Sequence, residues 1–104
     1  MTEPIYQITR EPGVVKLSGD LDINARDELR DALVAVVRDD RSGAVVVDFD
    51  DVAFLDSEAM GALIEGFLAA RGAGVTMSIV NAHGLVHRVL DVSGVLEMFE
   101  TGLS

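Results

Sequence analysis

The passage from Val45 to Gly61, VVVDFDDVAFLDSEAMG, limits the possible folds more than any other part of the chain. Val45-Val46-Val47 is a β-branched run suited to a buried strand, and an acidic turn and a second short apolar run follow it. From Ser57 to about Arg71, Met60, Leu63, Ile64, Phe67 and Leu68 recur at helical spacing. A buried strand that leads straight into an amphipathic helix is half of a parallel crossover. The same junction puts Ser57 at the mouth of the helix. A hydroxyl there can cap free backbone N–H groups, and those groups with the helix dipole also favour an anion, including a phosphate carried by the serine.

The remaining segments extend the pattern. Tyr6 to Arg10 and Val14 to Ser18 read as short strands around the turn pair Pro12-Gly13, so the chain opens with a hairpin. From Ala25 to Arg38, Leu29, Ala32, Leu33 and Val36 line one face of a helix for which Asn24 is the available cap. Gly72-Ala73-Gly74 turns into a third apolar run, Val75 to Val80, and a last helix is expected from His83 to about Val92, closing near Ser93-Gly94. Alternating strands and helices after a hairpin predict an α/β domain, a mixed sheet with helical crossovers, filling residues 1–104 as one unit.

Composition narrows the function. A chain of 104 residues, 49% hydrophobic, holds one core and leaves no room for a second catalytic domain. Eighteen acidic against eight basic residues give a net charge of -10, which repels nucleic acid and anionic membranes and favours a basic or mixed protein surface as partner. No stretch is long enough for a membrane span, the first residues do not read as a signal peptide, and the absence of cysteine suits a cytoplasmic protein.

Enzyme chemistry finds little support. Neither G-x-x-x-x-G-K-(S/T) nor G-x-G-x-x-G occurs, so no nucleotide cofactor is expected, and the glycines read as turn residues. His83 and His87 have metal-ligand spacing but no third ligand is suggested, so no metal is expected. Asp56 and Glu58 flank Ser57 where a hydrolase would need room for an oxyanion, which argues against a catalytic serine. Asp48, at the end of the central strand, could be the acceptor of a phosphoaspartate receiver. The single lysine, Lys16, lies too early for that reading.

Three motifs bring a known family into view. Phe54-Leu55-Asp56-Ser57-Glu58-Ala59-Met60-Gly61 resembles the phrase F-x-D-S-(S/T)-G-L-G of STAS domains, and within them of the bacterial anti-sigma factor antagonists. Gly19-Asp20-Leu21-Asp22 is similar to the family's G-(E/D)-L-D turn, and Val89 to Val95 to its V-x-x-L-x-x-(S/T)-G-(L/V) helix end. The resemblance implies a non-catalytic module that binds an anti-sigma factor, itself a serine kinase, and is switched off by phosphorylation at Ser57. It also implies that Asp20 and Asp22 lie close to Asp56 and Ser57. A STAS domain of another type, an interaction subunit of a transporter or scaffold complex without a phosphate cycle, is the alternative; the oligomeric state is left open.

Two positions depart from the family phrase: Glu58 and Ala59 stand where serine or threonine and then glycine are usual. Glu58 suits the dipole of a first helical turn but sits beside the residue that a kinase must reach, and is expected to repel the kinase's nucleotide unless the partner supplies a cation. The predicted partner surface comprises Asp20, Asp22, Asp56, Glu58 and the small residues Ala62, Gly66 and Ala69, which fall off the apolar stripe of the helix.

Overall fold

A computed structural model describes residues 5–101. The ends of the predicted 1–104 unit, and the first four residues of the stretch read against a signal peptide, lie outside the described residues. Strand β1 (Tyr6–Glu11) pairs antiparallel with β2 (Val14–Leu21) across Pro12-Gly13. Helix α1 (Arg26–Asp39) then carries the chain to β3 (Ala44–Leu55), and helix α2 (Ser57–Gly72) carries it to β4 (Thr76–Val80). Both of these strand pairs are parallel, and the sheet order is β1-β2-β3-β4. Helices α3 (Gly84–Val92) and α4 (Val95–Thr101) end the described chain. The α/β domain with an opening hairpin, a mixed sheet and helical crossovers is thus as the sequence leads one to expect.

Alternation along the strands sorts the residues onto the two faces of the sheet. Val15 and Leu17 of β2, Val45, Val47 and Phe49 of β3, and Met77 of β4 are buried, while Lys16, Ser18, Val46, Asp48 and Ser78 are half-buried or exposed. Against the buried set pack Leu29, Leu33, Val36 and Val37 of α1 and Leu63 and Phe67 of α2; Phe99 of α4 meets Phe67 in a tilted pair with ring centroids 4.9 Å apart. Tyr6 ties β1 to α1, its hydroxyl donating to Glu28 Oε1 at 2.9 Å.

Four sequence expectations change. The acidic turn within residues 48–51 does not exist: β3 is continuous, because β2 goes on pairing with it through Ser18 opposite Asp51, Gly19 opposite Val52 and Leu21 opposite Leu55. For the same reason Gly19-Asp20-Leu21 belongs to a strand rather than a turn. Gly19 sits at φ 82 in that strand and a side chain there would run into the Ile5 carbonyl, so glycine is required. Helix α4 was not anticipated. Finally, Ala62 and Gly66 are buried, not exposed. A Cβ built on Gly66 would lie 2.6 Å from Leu33 Cδ1, so these small residues let α1 approach α2 rather than present a face to another protein.

Candidate functional site

The carboxyl ends of β2 and β3 lie side by side. Asp20 is opposite Phe54, Leu21 is opposite Leu55, and the Asp56 N–H donates to the Leu21 carbonyl at 3.1 Å. The loop after β2, with Asp22, therefore runs beside the residue that precedes α2. Asp20, Asp22, Asp56, Ser57 and Glu58 share this end of the molecule, whereas Ala62 and Gly66 belong to the core.

Both helices that start here are capped differently from the sequence expectation. Asn24 does not cap α1: the Ala25 N–H bonds back to the Asp22 carbonyl at 2.9 Å, so Asn24 lies inside a turn with its own N–H held by Asp22 Oδ1 at 2.9 Å. Ala25 occupies the cap position without a side-chain hydrogen bond. At α2 the cap is Asp56, whose backbone is extended (φ -101, ψ 179) and whose Oδ1 accepts from the Ala59 N–H at 3.0 Å. The bond to Leu21 anchors Asp56 to the sheet end and leaves Ser57 as the first helical residue. Ser57 is exposed, and its hydroxyl bonds to none of the described residues. Capping does not use it.

Glu58, half-buried, is not an uncompensated charge. Its Oε1 accepts from Arg26 Nη1 at 2.7 Å, and Arg26 also bonds Asp27 through Nε at 3.2 Å. The hydrogen bond to Glu58, followed by that to Asp27, raises the Arg26 pKa above its ordinary value. The pair joins the first turns of α1 and α2. Sequence reasoning overlooked Arg26, although a cation in the first turn of a helix opposes the dipole and so marks a residue placed for another reason. It also overlooked two exposed apolar residues at this end, Ile23 in the loop after β2, 56% exposed, and Phe54 opposite Asp20, 45% exposed. Ile23, an isolated apolar residue in a polar loop, was the legible signal.

The other candidates fall away from this end or from chemistry. Asp48 is held by Asn81, whose Nδ2 donates to its Oδ1 at 3.0 Å, and by the Asp50 N–H; the Asn81 bond is the main reason its pKa is lowered. His83 caps α3 in extended backbone with its Nε2 2.7 Å from the Asp50 carbonyl, and no group of three or more potential metal ligands occurs among the described residues. Nor is any described helix long and apolar enough to cross a membrane.

The family described as "Mlab, STAS domain" matches residues 5–100. This chain belongs to the STAS domain family. Among its relatives is an anti-sigma F factor antagonist of Paenibacillus polymyxa, 26% identical over 85 residues that cover 82% of this chain and 73% of the relative. An anti-sigma factor antagonist from Mycobacterium paratuberculosis has a similar structure, with a TM-score of 0.73 at 27% identity over 90% of this STAS domain and 80% of that chain. The antagonist SpoIIAA in its unphosphorylated form superposes with a TM-score of 0.71 at 18% identity, covering 88% of this domain and 83% of that chain. SpoIIAA of Bacillus in its phosphorylated form gives a TM-score of 0.63 at 17% identity, covering 86% and 84%.

Proposed function

We propose that this STAS domain is an anti-sigma factor antagonist, a non-enzymatic cytoplasmic module that binds an anti-sigma factor with serine kinase activity and is released from it by phosphorylation at Ser57. The observation that carries this reading is the exposed Ser57 hydroxyl, which bonds to none of the described residues because Asp56 caps the helix. In the transfer step, Ser57 Oγ forms a bond to the γ-phosphorus of the kinase's nucleoside triphosphate as the bond to the diphosphate breaks, and the hydroxyl proton passes to a base on the kinase. The partner surface combines the exposed apolar side chains of Ile23 and Phe54 with the carboxylates of Asp20, Asp22 and Asp56, which fits a basic partner surface with an apolar centre. A phosphate adds about 1.5 to 2 negative charges, and unit charges about 5 Å apart at an effective dielectric near 20 repel by roughly 3 kcal/mol. Exposure reduces that figure, yet about 1.4 kcal/mol already changes affinity tenfold. The switch needs no backbone movement.

Incubation with the cognate anti-sigma factor and ATP, read by intact mass, should add one phosphate to the native protein and none to Ser57→Ala. A native protein that neither binds the anti-sigma factor nor takes up phosphate favours the second reading, a STAS interaction subunit of a transporter or scaffold with no phosphate cycle. The observation on its side is Glu58, where the family phrase has serine or threonine.

A further inference from the structure

We propose that Arg26 is a positioning residue for the modification of Ser57: it neutralises Glu58 in the free protein and moves onto the phosphate once Ser57 carries one. This rests on the reading of Ser57 as a phosphoacceptor. The guanidinium stands at the point where the first turns of α1 and α2 meet, bonded through Nη1 to Glu58, the residue next to Ser57, and through Nε to Asp27. Nη2 donates to none of the described residues, so the fork has donors to spare. The side chain is 42% exposed and free to re-aim without repacking the core. The acids at this end are Asp20 and Asp22 from β2 and its loop, Asp27 and the Tyr6-bonded Glu28 from α1, Asp56 at the cap of α2 and Glu58 in its first turn. The neighbouring Arg30 pairs with Asp27 and Asp31 on the α1 side, so Arg26 is the cation that bridges to α2.

Charge decides the direction of the exchange. A phosphate monoester carries about 1.5 to 2 charges and three acceptor oxygens against the single charge of Glu58, and a guanidinium binds such a group through two parallel N–H bonds. Glu58 and Arg26 thus act as a pair. The carboxylate holds the guanidinium at the first turn of α2, the turn that Ser57 opens, and the guanidinium screens the carboxylate from an incoming nucleotide, so the repulsion expected of Glu58 in the sequence is met from within the chain instead of by the partner.

The test uses the full chain with phosphoserine placed at position 57 during translation, titrated by phosphorus NMR, in four forms: native, Arg26→Gln, Glu58→Gln and the double variant. Arg26→Gln should raise the phosphate's second pKa by about one unit in the native background and again in the Glu58→Gln background. Arg26→Lys, which keeps the charge but not the fork, should restore part of the shift. Circular dichroism confirms that each variant is folded. No rise in the native background, or a rise there that vanishes when Glu58 is already glutamine, overturns the proposal, the latter showing that Arg26 only screens Glu58. The Ser57 reading fails on a different result, phosphoserine protein that binds the partner as tightly as unmodified protein, whatever Arg26 does.

Discussion

At Gly66 the inner side of α2 has no space for a methyl group, its Cβ position lying 2.6 Å from Leu33 Cδ1, whereas at Ser57 in the first turn of the same helix the side chain is exposed and its hydroxyl bonds to none of the described residues. The inner side is set by packing against α1. The first turn is set by the backbone bond from Asp56 to the end of β2, by the Asp56 side chain capping the Ala59 N–H, and by one ion pair, Glu58 with Arg26. Substitutions on the inner side should therefore change stability and leave recognition intact, and substitutions of Ser57, the exposed residue of the first turn, should do the reverse.

Gly66 offers the strongest way to break this division. Gly66→Ala forces a methyl group into the Leu33 side chain, and overpacking of that kind costs about 1 to 3 kcal/mol, with Gly66→Arg costing more. Thermal unfolding measures it. An arginine at position 66 that leaves the melting temperature unchanged while abolishing partner binding would make this side a docking face and contradict the packing account.

Capping is the next largest effect and sharpens the comparison within the first turn. Asp56→Ala removes the acceptor for the Ala59 N–H and should cost about 0.5 to 2 kcal/mol, while Ser57→Ala, at an exposed site without a bond, should stay within about 0.5 kcal/mol. Denaturant titration of the two variants ranks them. The opposite order would return the cap to Ser57.

The smallest effect is a control remote from both regions. Asn81 takes a left-handed conformation (φ 63) and holds Asp48, so Asn81→Gly keeps the backbone and removes the bond. The Asp48 pKa, lowered mainly by that bond, should rise towards the ordinary carboxylate value, as followed by carbon NMR. A carboxyl whose folded pKa is depressed adds stability above its unfolded pKa, near about 3.9, and loses it as pH falls through the folded value. The native protein should accordingly keep a small advantage over Asn81→Gly at neutral pH that shrinks below that range, with partner affinity the same for both. Equal stabilities at all pH values would mean that the Asn81 bond is worth nothing in water.

Much of this was legible in the sequence, and the failures have physical causes. Val45 to Val47 and the stripe of Leu29, Leu33 and Val36 were readable because burial on a sheet face and on a helix face leave different periods. The period was misleading in α2, where Leu68 is 46% exposed while Ala62 and Gly66 are buried. Small residues have too little apolar surface to mark a face, and what buries Gly66 is the bulk of Leu33, far away in sequence. The caps missed for a related reason. Asp22, Asn24, Asp56 and Ser57 are all competent capping types, and the choice among them was made by the Leu21 carbonyl and by a turn at Asp22, contacts that no local pattern encodes. Helix α4 was written in the spacing of Val95 and Phe99, both buried, after Gly94 at φ 86. The acids around Ser57 were singled out because the motif there resembles its family, and Arg26 was passed over because it lies outside that motif.

The central claim is that charge at Ser57, and not its hydroxyl or a cap, decides binding. Calorimetry of Ser57→Ala and Ser57→Asp against the cognate anti-sigma factor tests it most directly, since neither change removes the Asp56 cap. The account predicts that the alanine variant binds as the unmodified protein does and that the aspartate variant, its carboxylate added to those of Asp20, Asp22, Asp56 and Glu58, binds about tenfold more weakly or worse, the change expected from about 1.4 kcal/mol of repulsion. Equal affinities for the two variants would contradict it.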